Sequence, residues 1–283
     1  MSISQNVDRR GVSVISELDK FGPLAELAGK WVGTGNGWNV IAVPDANKTF
    51  NLEVHQFNET INVRMGATTV PNKGGPAGLQ VTRALEYDLS VTQVGTGAGL
   101  HIENGMWLMI DDSGTPDSTE TPIVRQSIVP HGNSVLLLGK AFIDAGPPKI
   151  SKINTLPLDL KHQQITAAGY IQQYRDIAKR SVRKNGFPDV LNPNQTLVDA
   201  LEGQTVTNTI TLDVSTDNDG GIASIPFIDK HADVVSFAST FWIETVTDSQ
   251  GSQKQQLQYS QLTLILFDNV FWPHVDVNTL VKQ

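Results

Sequence analysis

The chain has 283 residues, a formal charge of −8 and 39% hydrophobic residues. That composition belongs to a folded globular chain, and its acidic balance lacks the basic stripe that tracking nucleic-acid phosphates requires. With no cysteine present, a disulfide framework, a thiolate metal site and a cysteine nucleophile are excluded.

The first twenty residues are polar. No apolar core of a signal peptide stands in MSISQNVDRRGVSV, so a cytoplasmic location is expected. No run of about 18 apolar residues occurs, so no membrane span is expected. A short apolar helix is predicted at Pro23–Ala28, with Gly29 placed to end it. Strand patterns follow. Trp31–Gly35 leads into Trp38–Val43, and Phe50, Leu52 and Val54 alternate with polar residues, the period of a half-buried strand. The glycines Gly33, Gly35 and Gly37 lack the spacing and lysine of a phosphate loop, so they read as a bulge or bend.

Further strands are predicted at Leu79–Val94, Gly99–Ile110, Ile123–Val129 and Ser134–Ile143, separated by Gly, Pro, Asn and Asp turns. Such a run reads as an antiparallel meander closed into a barrel to remove its edges. Gly146-Pro147-Pro148 breaks the pattern. Helices are predicted at Gln163–Lys184 and at Asn194–Leu201, the latter with Asn194 as N-cap and Gly203 as stop. The basic cluster Arg175, Lys179, Arg180, Arg183 and Lys184 reads as a solvated helix face. Strands resume at Thr205–Val214, Ile222–Ile228, Val234–Thr247 and Leu257–Phe267. The fold class expected is mainly β: one domain, an antiparallel calycin-like β-barrel from about 24–145 and 231–283, with a helix-containing insertion at about 146–230.

Six histidines are available, none with the spacing of a helical zinc motif, and no nucleophile elbow is present. Two have distinctive neighbours. On a strand, His101 and Glu103 share one face, a geometry that also permits acid–base work in a haem-free enzyme. His274 follows Pro273, which fixes the local backbone, and sits among Phe271, Trp272 and Val275. A neutral imidazole is a good iron ligand.

Three stretches resemble the nitrobindin family, small haem-binding β-barrels related in shape to fatty-acid-binding proteins. They are Gly29-Lys30-Trp31-Val32-Gly33-Thr34-Gly35, His101-Ile102-Glu103-Asn104-Gly105-Met106-Trp107, and Pro273-His274-Val275 close to the chain's end. The resemblance implies haem b, with His274 as the axial iron ligand and His101 in the pocket. Trp31, Trp107 and Trp272 are candidates for its apolar wall. It further implies chemistry on nitric oxide, peroxynitrite or a peroxide, by a haem-dependent isomerase or peroxidase-like activity. The sequence departs from the family in length, and Trp38-Asn39-Val40 stands where the family has tyrosine-proline. The expected partner is haem or another hydrophobic small molecule. A haem-free carrier of a lipid-like ligand is the rival reading, and a homo-oligomer is compatible with the acidic surface.

Overall fold

The structure is a computed structural model that describes residues 17–112, 120–180 and 188–283. Its strands are β1 (Gly29–Asp45), β2 (Lys48–Lys73), β3 (Leu79–Gln93), β4 (Gly99–Asp112), β5 (Thr121–Val129) and β6 (Asn133–Ala145). They continue as β7 (Thr205–Ser215), β8 (Gly221–Ser224), β9 (Asp233–Thr247), β10 (Gln253–Phe267) and β11 (Val270–Lys282). The helices are α1 (Ala168–Arg180), α2 (Gln195–Ala200) and α3 (Pro226–His231).

Every strand pairing is antiparallel. Because β1 pairs with β11 and β5 pairs with β6, the sheet closes into a ten-strand barrel of β1–β7 and β9–β11. The short β8 resumes the line of β7 along β6, pairing Gly221 with Leu136 just beyond the Ser215–Leu138 pair. Between Gly33 and Gly37, β1 slips register against both β2 and β11, so the glycines do mark a bulge. A Cβ at Gly37 would lie 2.2 Å from the Phe57 ring, which explains the need for glycine there.

One end of the barrel is plugged. The 3-10 segment Asp19–Leu27, which covers most of the helix expected at Pro23–Ala28, buries Phe21, Leu24 and Leu27 against the interior cluster. Trp31 donates its indole N–H to the Leu27 carbonyl at 2.8 Å, tying β1 to that plug. Inward residues of every barrel strand continue the cluster, including Ile61, Leu85, Trp107, Leu137, Leu212, Phe241, Tyr259 and Leu280.

Several expectations are corrected by the pairing. Thr205–Ser215 lies between β6 and β9 in the barrel wall, so the insertion spans 146–204 and not 146–230. The apolar run Ile222–Ile228 is not one strand: Pro226 stands in the first turn of α3, where its missing N–H costs nothing. The helix expected at Gln163–Lys184 begins at Ala168, and residues 181–184 lie outside the described residues. Beyond Phe267, inside the 231–283 part expected to be barrel but with no strand named there, the chain forms the full strand β11.

The insertion forms a strap on the outside of the barrel. Tyr174 of α1 packs with Phe50 and Trp272, while Gln173 bonds the Leu52 N–H and the Phe50 carbonyl. Leu197 of α2 buries against Trp38, Trp242, Val275 and Val277 on the outer wall. Asn194 precedes α2 but makes no side-chain cap; its amide bonds Ser151 O and accepts from Ser260 instead. Among the described residues, no helix is long and apolar enough to cross a membrane.

Candidate functional site at the histidine end

The end opposite the plug gathers the β1–β2, β3–β4, β5–β6 and β10–β11 turns. Period-two alternation sets what points into it. On β11, His274, Asp276, Asn278 and Leu280 share a face, and Leu280 belongs to the interior cluster. On β4, His101 and Glu103 share the face of Trp107. His131, on the β5–β6 turn, lies with its ring centroid 6.1 Å from that of His101.

Each of these two strand histidines is backed by a carboxylate two residues on. His274 Nε2 is 3.1 Å from Asp276 Oδ2, and the Asn39 amide nitrogen lies 2.6 Å from Nε2 and 2.7 Å from Asp276 Oδ1. His101 Nε2 is 3.5 Å from Glu103 Oε2. A third pair, Glu53 and His55 at 2.9 Å, sits on β2. Its His55 pairs across the sheet with Asn39, so the three strands β2, β1 and β11 carry one continuous polar wall.

Beneath this wall lies a buried polar layer. Arg125 of β5 is 1% exposed and donates to Glu103 Oε1 at 2.8 Å, Gln261 Oε1 at 2.7 Å and Ser239 Oγ at 3.0 Å. Tyr87 donates to the same Glu103 oxygen. The guanidinium is boxed by the rings of Tyr87, Trp107, Phe237 and Phe241, each with its centroid 5.3–5.7 Å away. Glu59 of β2 accepts from Tyr259 at 2.8 Å and from Asn278 at 2.7 Å.

Environment separates the carboxyl groups. Burial alone would raise Glu103, but the Arg125 charge and its hydrogen bonds hold it at about 2. Glu59 has no cation of its own, and burial pushes it up to about 7 against the hydrogen bonds from Asn278 and Tyr259. Burial would raise Asp276, but His274, the Asn39 hydrogen bond and His101 together hold it low. Burial opposes protonation of His101, yet Glu103, Asp276 and Glu59 together raise its pKa. His131 is lowered by burial and by the charges of His101 and His274.

The structure therefore brings His101 and His274 to one end of the barrel. It does not bring the three tryptophans there. Trp31 is buried against the plug, and Trp107 packs on Phe241 beside Arg125. Trp272 lies in a cluster with Phe50, Phe267 and Tyr170. Sequence reasoning does not propose Asp276, Asn39, Glu53, Glu59 or Arg125 as site residues. The His274–Asp276 spacing repeats that of His101–Glu103 and is readable; the partners from other strands are not. Among the described residues no group of three or more His, Asp or Glu is arranged to hold a bare metal ion.

No family model matches the chain, and no curated protein matches it. One solved structure that matches is described as the crystal structure of Rv2717c from M. tuberculosis. It is 15% identical, covers 94% of this chain and 97% of that one, and has a TM-score of 0.44. The barrel stands on its own strand pairing, since a likeness that distant adds no weight.

Proposed function

We propose that the protein binds one haem b at the histidine end of the barrel, with His274 as the axial residue and His101 beside the ligand. The observation that carries this reading is the pair of inward imidazoles, each backed by a carboxylate on its own strand. A ligating imidazole commonly gives its second nitrogen to a carboxylate, which fixes the ring and raises its basicity. At His274 the Asp276 carboxylate lies 3.1 Å from Nε2; with the Nε2 proton given to it, Nδ1 would be the nitrogen able to hold a haem iron.

When bound, haem supplies a redox-active iron for chemistry on small oxidants. This chain's residues would set access and protonation. Glu103 is held ionised by Arg125 and Tyr87, so it orients His101 and does not act as an acid near neutral pH. His101, with its raised pKa, is the group that donates a hydrogen bond or a proton into the site. This argues against the haem-free enzyme in which Glu103 shares the acid–base work. The carrier reading has less room. The plugged half is filled by packed side chains, and Arg125 with its aromatic box spans the middle, so a long acyl chain could not lie down the axis.

Titration of the purified protein with hemin should give a saturable change in the Soret band at one equivalent. His274→Ala should weaken binding by at least about tenfold, and His101→Ala should leave binding largely intact. A wild-type protein with no saturable spectral change would end the haem reading. Native mass spectrometry of that protein would then be the measurement for the carrier.

A further inference from the structure

A concave site lies outside the barrel, between the strap and the outer wall. It is a groove of about 530 Å³ lined by Pro147, Pro148, Lys149 and Lys152 of the strap and by outward residues of β6, β7, β9 and β10. The arch over it is pinned at both feet. Gly146 donates to the Thr207 carbonyl at 3.1 Å and its own carbonyl accepts from Thr209 at 2.7 Å. At the other foot, the Ile153 N–H reaches Asn192 Oδ1 at 3.0 Å and the Ser151 carbonyl accepts from Asn194 at 2.8 Å. Two prolines stiffen the span between. The groove is thus formed before any ligand arrives.

Its chemistry is divided. The floor is apolar, with Phe142, Trp242 and Leu262. The strap side carries Lys149 and Lys152, and the wall side carries Asp144 and Asp213. All four charged residues are exposed, and among the described residues none of them closes an ion pair within 4.0 Å. Asp213 accepts only a hydrogen bond from Thr240, at 2.9 Å. Opposite charges that share a groove and do not meet leave a gap that a ligand with both charges could bridge.

We infer that this groove binds a zwitterionic small molecule with an apolar body, of about the size of an apolar dipeptide with free ends. Its carboxylate would face Lys149 and Lys152, its amine would face Asp213, which the register sets four residues along the wall from Asp144, and its side chains would cover Trp242 and Leu262. A cavity of several hundred Å³ with an apolar floor and a few convergent polar groups suits a ligand of that size. The site is separate from the histidine end and does not depend on haem.

The test is isothermal titration of the full chain with L-leucyl-L-leucine, its N-acetyl derivative and its C-terminal amide. The free dipeptide should bind saturably, and each blocked form, lacking one charge, should bind about tenfold more weakly or worse. Lys149→Glu with Lys152→Glu, on exposed positions that leave the core untouched, should abolish binding of the free dipeptide. His274→Ala should leave it unchanged. No saturable binding by the free dipeptide, equal binding of the blocked forms, or full binding by the charge-reversed protein would each overturn the proposal.

Discussion

The plugged end and the histidine end of the barrel are made by the same strands, with the same alternation, and are stabilised in opposite ways. At the plugged end, Phe21, Leu24 and Leu27 fill the interior, and removing their apolar surface from water is the main source of stability. At the histidine end the inward positions are imidazoles, carboxylates and an arginine. Each buried charge there is tolerable only because a partner is in place. The first kind of packing tolerates a lost methyl group gradually. The second fails abruptly when one partner goes.

The largest expected effect breaks the second kind. Arg125→Leu leaves Glu103 buried without its cation, and should cost about 3–5 kcal/mol of unfolding free energy in urea or guanidinium melts. A loss under about 1 kcal/mol would mean that Tyr87 and water suffice for Glu103. Next, Leu24→Ala at the plug should cost about 3 kcal/mol, yet leave the hemin titration unchanged. A matching loss of hemin affinity would show that the two ends are not independent.

The pH response sharpens the contrast further. Glu59 inside the barrel and Glu244, on the outward face of β9 where it accepts from Gln256, are both pushed up to about 7 by burial, from an ordinary 4.5. The stability such a group contributes is fully present below pH 4.5 and is lost as pH rises through about 7. Unfolding free energy should therefore fall across that window, by roughly 3 kcal/mol per group at the upper limit. Glu59→Gln should flatten the slope in part, and adding Glu244→Gln should flatten it further. An unchanged slope in the double variant would assign the titration elsewhere. The smallest effect is at His101, whose raised pKa gives it the same sign: its contribution is present at low pH and is lost as pH rises through its folded value. His101→Gln should change stability by less than about 1 kcal/mol.

The parts of this molecule legible from sequence are those governed by local periodicity. Alternation locates most of the barrel strands, and it puts His101 and Glu103 on one face without any knowledge of the fold. It fails where pairing overrides local pattern. Thr205–Ser215 has a clear strand rhythm, but only its pairing with β6 and β9 makes it barrel wall and not insertion. Pro273 reads locally as a backbone constraint beside His274 and gives no sign of a strand. In the barrel it pairs with Leu264 of β10 at a level that the β1 ladder, ending at Val40 and Val275, does not reach, so its missing N–H is no loss. The three tryptophans suit a ligand wall as far as sequence goes, because large apolar rings near a histidine fit that role. Their places in the plug, the arginine box and the strap cluster are set by side chains far away in sequence, which no local pattern carries.

The strap leaves β6 and rejoins β7 where the two strands are already paired, Ala145 with Asn208. A tight hairpin could replace it without moving either strand. Yet the wall it covers is apolar at Trp38, Trp242, Val275 and Val277, and stripping the strap would leave that surface bare and prone to association. Losing the strap alone would make a sticky barrel, and repolarising the wall alone would detach the strap. Strap and wall are thus mutually dependent, since neither can be altered alone without exposing apolar surface.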